Sequence, residues 1–102
     1  MLSLIRTLFG GKNNELETWI RDGALIVDVR TPGEYKSGHV KGSINMPLDK
    51  LGTSMGKLKK DQPIVTCCAS GMRSANAQRI LNSAGFKVMN GGSWSRVNQL
   101  KK

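Results

Sequence analysis

One stretch constrains this chain more than any other: Ile64-Val65-Thr66-Cys67-Cys68-Ala69-Ser70-Gly71-Met72-Arg73-Ser74. It opens as a short apolar, β-branched run between Pro63 and Gly71, the pattern of a buried strand. Beyond the glycine, Ala77, Ile80, Leu81 and Ala84 recur at the spacing of one helix face, with Ser74 placed as its N-cap and Gly85 as its C-cap glycine. A strand that passes into a helix through a compact loop gathers backbone N–H groups at the helix N-terminus, a place that binds anions. A cysteine there, with an arginine close by, is driven toward thiolate, from ~8.5 into a range of ~3.5–7.5. The thiolate is the nucleophile.

Two registers are open. Four residues separate Cys68 from Arg73, and five separate Cys67 from it. The longer spacing, with Ser74 after the arginine, is that of cysteine-dependent phosphatases. Neighbouring strand residues point to opposite faces, so only one thiol enters the cup. Cys67 lies within the apolar run and Cys68 at its end, which selects Cys68. The tighter cup also suits one sulfur atom better than a phosphoryl group.

The size of the chain, 102 residues, allows a single domain over 1–102 in which 1–13 form an N-terminal extension. The segment Met1 to Phe9 is apolar but interrupted by Arg6 and lacks a small-residue cleavage site, so a short packed element is expected there rather than a secretory signal. No run approaches the ~18 apolar residues of a membrane span. Two adjacent cysteines make no disulfide framework, which points to a reducing compartment, most simply the cytoplasm. Sixteen basic residues against seven acidic give +9, a balance that favours anionic partners. With few aromatics and no nucleic-acid motif, that partner is expected to be a small anion rather than a polynucleotide. Lys57, Lys59, Lys60, Lys101 and Lys102 read as solvated surface and chain end.

Along the chain, Leu16, Trp19 and Ile20 predict a helix near 14–22 that stops at Gly23. Ala24 to Val29 reads as a buried parallel strand ending at Asp28-Val29-Arg30, with Thr31-Pro32-Gly33 as a turn and one helical turn over Glu34 to Ser37. Ser43 to Met46 predicts a short strand. Leu48, Leu51, Met55 and Leu58 predict an amphipathic helix weakened by Gly52 and Gly56. Phe86 to Met89 predicts a last strand, Asn90-Gly91-Gly92-Ser93 a turn, and Trp94 with Val97 a closing helix. Such alternation implies an α/β fold: a mostly parallel sheet of four to five strands with helices on both faces. Its ligand site lies beyond the carboxyl ends of the strands, where Cys68, Asp28 and Arg30 meet.

The segments Asp28-Val29-Arg30, Pro32, Glu34-Tyr35, Gly38-His39-Val40 and Gly42 to Leu48 resemble the first signature of rhodanese-like, single-domain sulfurtransferases. Cys68 to Ser74 resembles their active-site loop, and Asn90 to Trp94 their closing segment. The resemblance implies a sulfurtransferase with Cys68 as its persulfide-forming nucleophile. The N–H groups of the loop Ala69, Ser70, Gly71, Met72 and Arg73 would hold the terminal sulfur, and Arg73 would position a small anionic donor. The acceptor would be cyanide in an assay, or a thiol or protein in the cell, with no metal or organic cofactor. Ala69 stands where many thiosulfate-using members carry a basic residue, so a persulfide or protein donor is as open as thiosulfate.

Each residue has a plainer reading too. Asp28 and Arg30 are expected to pair with each other or cap neighbouring loops and so support the site indirectly, with Ser74 a further support at the helix start. His39 is expected in a packed turn, Trp19 and Trp94 in core or rim packing, and Met55 as apolar filling; Met72 either fills space or lines the entrance. Two rivals accompany the sulfurtransferase: a non-catalytic binding module and a phosphatase in the Cys67 register.

Overall fold

A computed structural model describes residues 14–101. The segment 1–13 and its expected packed element lie outside them, as does Lys102. Strands β1 (Leu25–Asp28), β2 (Ile44–Asn45), β3 (Ile64–Cys68) and β4 (Val88–Ser93) form one sheet in the order β2-β1-β3-β4, with every pair parallel. Helices α1 (residues 14–21), α2 (Pro32–Ser37), α3 (Leu51–Ser54), α4 (Met72–Ser83) and α5 (Trp94–Lys101) accompany it. Parallel strands need crossovers and leave both faces covered, which is why β3 is buried at all five positions.

Alternation along the strands sorts the core into two layers. Val27, Ile64 and Cys68 pack with Leu51, Ala77 and Leu81 beneath α3 and α4. Ile26, Val65 and Cys67 pack with Leu16, Ile20 and Val97 beneath α1 and α5. Lys57, Lys59 and Lys60 are exposed, as composition suggested. Because all strands run one way, the ends of β1 and β3 reach the same edge, where Asp28 is paired in register with Cys67.

Several boundaries differ from the sequence reading, each for a local reason. Thr31-Pro32-Gly33 is not a turn: Thr31 caps α2 in a reciprocal capping box with Glu34, and Pro32 takes the first helical position. The helix expected from Leu48 to Leu58 is broken into α3 flanked by 3-10 turns at Leu48–Lys50 and Met55–Lys57, as its two glycines permit. Ser74 is not the N-cap of α4. Gly71, at φ 108°, starts the helix three residues earlier, leaving Ser74 inside the first turn. At the other end, Gly85 takes φ 98°, with its N–H on the Asn82 carbonyl and the Phe86 N–H on that of Leu81. These are the two bonds of a Schellman motif.

The segment Asn90-Gly91-Gly92-Ser93 is strand rather than turn, and it bulges against β3 between Thr66 and Cys68. A Cβ on Gly91 would lie 2.6 Å from Val97 Cγ2 and 2.8 Å from both the Thr66 carbonyl oxygen and Val65 Cγ1. The backbone therefore comes too close to its neighbours for any side chain. Gly91→Ala is expected to destabilise the fold by about 2 kcal/mol by overpacking. Urea denaturation checks this, and an unchanged midpoint would contradict the close approach.

Candidate active site

Cys68 closes β3, and its sulfur sits beneath the start of α4. The Gly71 N–H donates to Sγ at 2.9 Å and the Ser74 N–H at 3.4 Å, while Sγ lies 3.4 Å from Ser74 Oγ. The left-handed Gly71 turns the loop so that its own N–H and that of the first helical turn converge on one point. Burial pushes this thiol up. The Ser74 hydroxyl and the backbone N–H groups of Ser74, Gly71 and Ser70 outweigh it, and Cys68 lies below its ordinary value. Cys68 itself is fully buried, whereas Ala69, Ser70 and Met72 of the loop above it are exposed, Met72 to 82%.

Cys67 faces the other layer. Burial, with the Asp28 carboxylate adding to it, pushes its thiol up to about 12. It is neutral at physiological pH and packs in the apolar layer with Ile26, Val65 and Val97. Both cysteines are free.

Ser74 is fully buried and joins three elements. Its Oγ donates to Asn90 Oδ1 at 2.6 Å and lies 3.1 Å from the Gly71 carbonyl, and its own carbonyl accepts from Thr66 Oγ1 at 3.0 Å. Asn90 Oδ1 also accepts the Gly92 N–H at 2.9 Å. Thus β4 braces the loop through a residue that the sequence reading placed in a turn.

Arg73 does not point freely into the mouth. Its Nη1 and Nη2 donate to Glu34 Oε1 and Oε2 at 2.7 and 3.0 Å, a two-pronged ion pair. The Arg73 guanidinium and the Thr31 N–H hold the Glu34 carboxyl at about 2, well below the usual carboxylate range. Glu34 was missed as a site residue. The Thr31-x-x-Glu34 spacing reveals its capping role, but its partner lies 39 positions away.

Asp28 and Arg30 pair as expected. Arg30 Nε and Nη2 donate to the Asp28 carboxylate at 3.0 and 2.8 Å, and both residues are buried. Arg30 also donates to the carbonyls of Glu34 and Gly38 at 3.2 and 2.6 Å and lies 4.9 Å from the Trp94 ring centre. The pair reaches Cys68 only indirectly, by fixing the α2 segment that presents Glu34 to Arg73. Asn45, also unforeseen, ties the strand end with Nδ2 bonds of 3.0 Å to the carbonyls of Asp28 and Arg30. His39 stacks on Tyr35 at 3.8 Å and donates from Nδ1 to the Tyr35 carbonyl at 2.7 Å.

Beside Arg73 an open, mainly apolar cavity of about 280 Å³ is lined by Val29, Thr31, Pro47, Leu48 and Asp49. A larger cavity, about 390 Å³, is lined by Glu15, Leu16, Gln78, Met89, Asn90 and Gly92. The backbone donors that meet Cys68 Sγ come from the loop and the first turn of α4. Among the described residues no cluster of His, Cys, Asp and Glu is arranged to hold a metal ion, and no helix is long and apolar enough to cross a membrane.

The sequence profile of the Rhodanese-like domain family matches residues 12–95. The chain is 34% identical over 62 residues to the uncharacterized protein YqhL of Bacillus subtilis, covering 61% of this chain and 49% of that protein, about half its length. It is 32% identical over 78 residues to the thiosulfate sulfurtransferase GlpE of Shewanella oneidensis, covering 72% and 77%. In structure it resembles reduced Bacillus anthracis CoADR-RHD, with a TM-score of 0.73 at 35% identity, over 86% of this chain and 16% of that one.

The Glu34–Arg73 pair has a pH signature. Because the Glu34 carboxyl is depressed from 4.5 to about 2, its contribution to stability is complete above pH 4.5 and is lost as pH falls toward 2. Both side chains are more than a third exposed, so the effect is screened by salt. Glu34→Gln is expected to lower the urea midpoint at neutral pH and to converge with the parent near pH 2. A difference that stays constant across this window would contradict the ion pair as its source.

Proposed function

The chain belongs to the rhodanese-like domain family, and on that premise we propose that it is a sulfurtransferase that carries one sulfur atom on Cys68. The observation that supports this best is the convergence of the Gly71 and Ser74 N–H groups on Cys68 Sγ at 2.9 and 3.4 Å. Cys68 thiolate attacks the outer sulfur of a donor. A bond forms between the two sulfurs, the donor's own bond to that sulfur breaks, and the leaving group departs with the electron pair. The product is Cys68–S–S⁻. A nucleophilic acceptor then attacks the terminal sulfur and releases the Cys68 thiolate. The loop from Ala69 to Arg73 stabilises the negative charge that each step places there, by preorganised dipoles of the oxyanion-hole type. No step calls on a metal or organic cofactor.

Ser74 supports the sulfur directly. Asp28 and Arg30 support it at a distance through α2, and Arg73 closes the loop. The donor is thiosulfate, as the name of the Shewanella relative suggests, or a persulfide. Ala69 adds no charge at the mouth and Glu34 already engages Arg73, so a singly charged persulfide suits this site at least as well as a dianion. The acceptor is a thiol or a protein, with cyanide standing in for it in an assay. Two free neighbouring cysteines suit a reducing compartment such as the cytoplasm.

Sulfur transfer from thiosulfate or a persulfide to cyanide, measured with each cysteine replaced in turn, tests this. Cys68→Ser is expected to lose at least ~10³-fold in rate, as removal of a nucleophile does, while Cys67→Ser keeps most of the activity. The opposite result would move the chemistry to Cys67. Absence of any single-sulfur adduct on the parent protein would leave a binding module.

A further inference from the structure

We propose that Asn90 is a positioning residue for the Cys68 sulfur: it holds the Ser74 hydroxyl proton while Cys68 is a thiol and yields it to the sulfur when Cys68 becomes an anion. A serine hydroxyl has one hydrogen to give. Ser74 Oγ has four neighbours, namely Asn90 Oδ1 at 2.6 Å, the Gly71 carbonyl at 3.1 Å, and the Gly92 carbonyl and Cys68 Sγ at 3.4 Å. The shortest of these takes the proton. The identity of the Asn90 atom is settled by the Gly92 N–H, which donates to it at 2.9 Å and so requires an oxygen there. In this arrangement Ser74 Oγ is free to accept from the Cys68 S–H but gives the sulfur nothing.

Ionisation reverses the preference. When the Cys68 proton leaves to water, Sγ becomes an acceptor with a full charge, and a bond from the Ser74 hydroxyl to it becomes charge-assisted. Asn90 Oδ1 loses the hydroxyl but keeps the Gly92 N–H, so no buried oxygen is orphaned. The same rotation meets the anion of Cys68–S–S⁻. Asn90 therefore weights the balance between the resting and the charged sulfur without touching the sulfur. Arg73, engaged with Glu34, also acts on this charge, while Cys67, across the strand beside Asp28 and Arg30, stays neutral. They are left in place by changes at position 90.

The inference rests on Cys68 as the reacting sulfur, and its test reads the titration of that sulfur rather than sulfur transfer, so the two fail separately. Alkylation of Cys68 by iodoacetamide is followed against pH, with the adduct located by mass spectrometry. Asn90→Leu, which removes the competing acceptor at similar volume, is expected to lower the midpoint by about half a unit to one unit. Ser74→Ala is expected to raise it, and the double variant to titrate like Ser74→Ala alone. A midpoint that rises or stays still in Asn90→Leu overturns the proposal, as does an equal shift in the Ser74→Ala background. In the unmodified protein, the NMR signals of the Asn90 side-chain amide and the Gly92 N–H should move with the Cys68 midpoint. Signals that ignore it overturn the proposal as well.

Discussion

A strand cannot aim two neighbouring side chains at one face, and the site depends on that constraint. At the end of β3 it divides two chemically identical thiols between two environments. Cys67 enters the layer under α1 and α5, where burial and the Asp28 carboxylate hold it neutral, with its thiol at about 12. Cys68 enters the layer under α3 and α4, at the point where Gly71 turns the chain into a helix whose first N–H groups look back at the sulfur. A slip of one residue in register would exchange the two and place Cys68 in the layer that now holds Cys67.

Around that division the fold builds outward through polar contacts that all lie at one sheet edge. The buried Asp28–Arg30 pair ends β1 and pins the carbonyls of Glu34 and Gly38. That fixes α2, and α2 presents Glu34 to Arg73. From the other side, β4 approaches β3 closely enough at Gly91 to exclude a side chain, which brings Asn90 against Ser74. The loop is thus held at its arginine by β1 and α2, and at its serine by β4. Backbone donors on a mobile loop would reorganise around a charge; donors braced from both ends are held in place.

How much of this was legible in the sequence depended on how local the cause was. The Cys67/Cys68 division follows from strand period alone, and Gly85 marked the end of α4 because a helix stop is a local affair. Ser74 was misplaced as an N-cap because serine is a good cap and Gly71, three residues earlier, is a better start only once its positive φ is known. Asn90-Gly91-Gly92-Ser93 has the composition of a turn and is a strand, since its glycines serve close packing across the sheet rather than chain reversal. Glu34 and Asn45 escaped notice as site residues because their partners, Arg73 in one case and the carbonyls of Asp28 and Arg30 in the other, are brought near by the parallel crossovers. Local patterns carried the elements and the opposite facing of the two cysteines. The bracing was written in tertiary contacts.

The account turns on which sulfur carries the transferred atom and what holds it there. A crystal structure of the protein loaded with a persulfide donor is the most direct measurement. The account predicts one additional sulfur bonded to Cys68 Sγ, lying within reach of the loop N–H groups between Ala69 and Arg73. Additional density on Cys67, or a sulfur on Cys68 turned away from those groups, would contradict it.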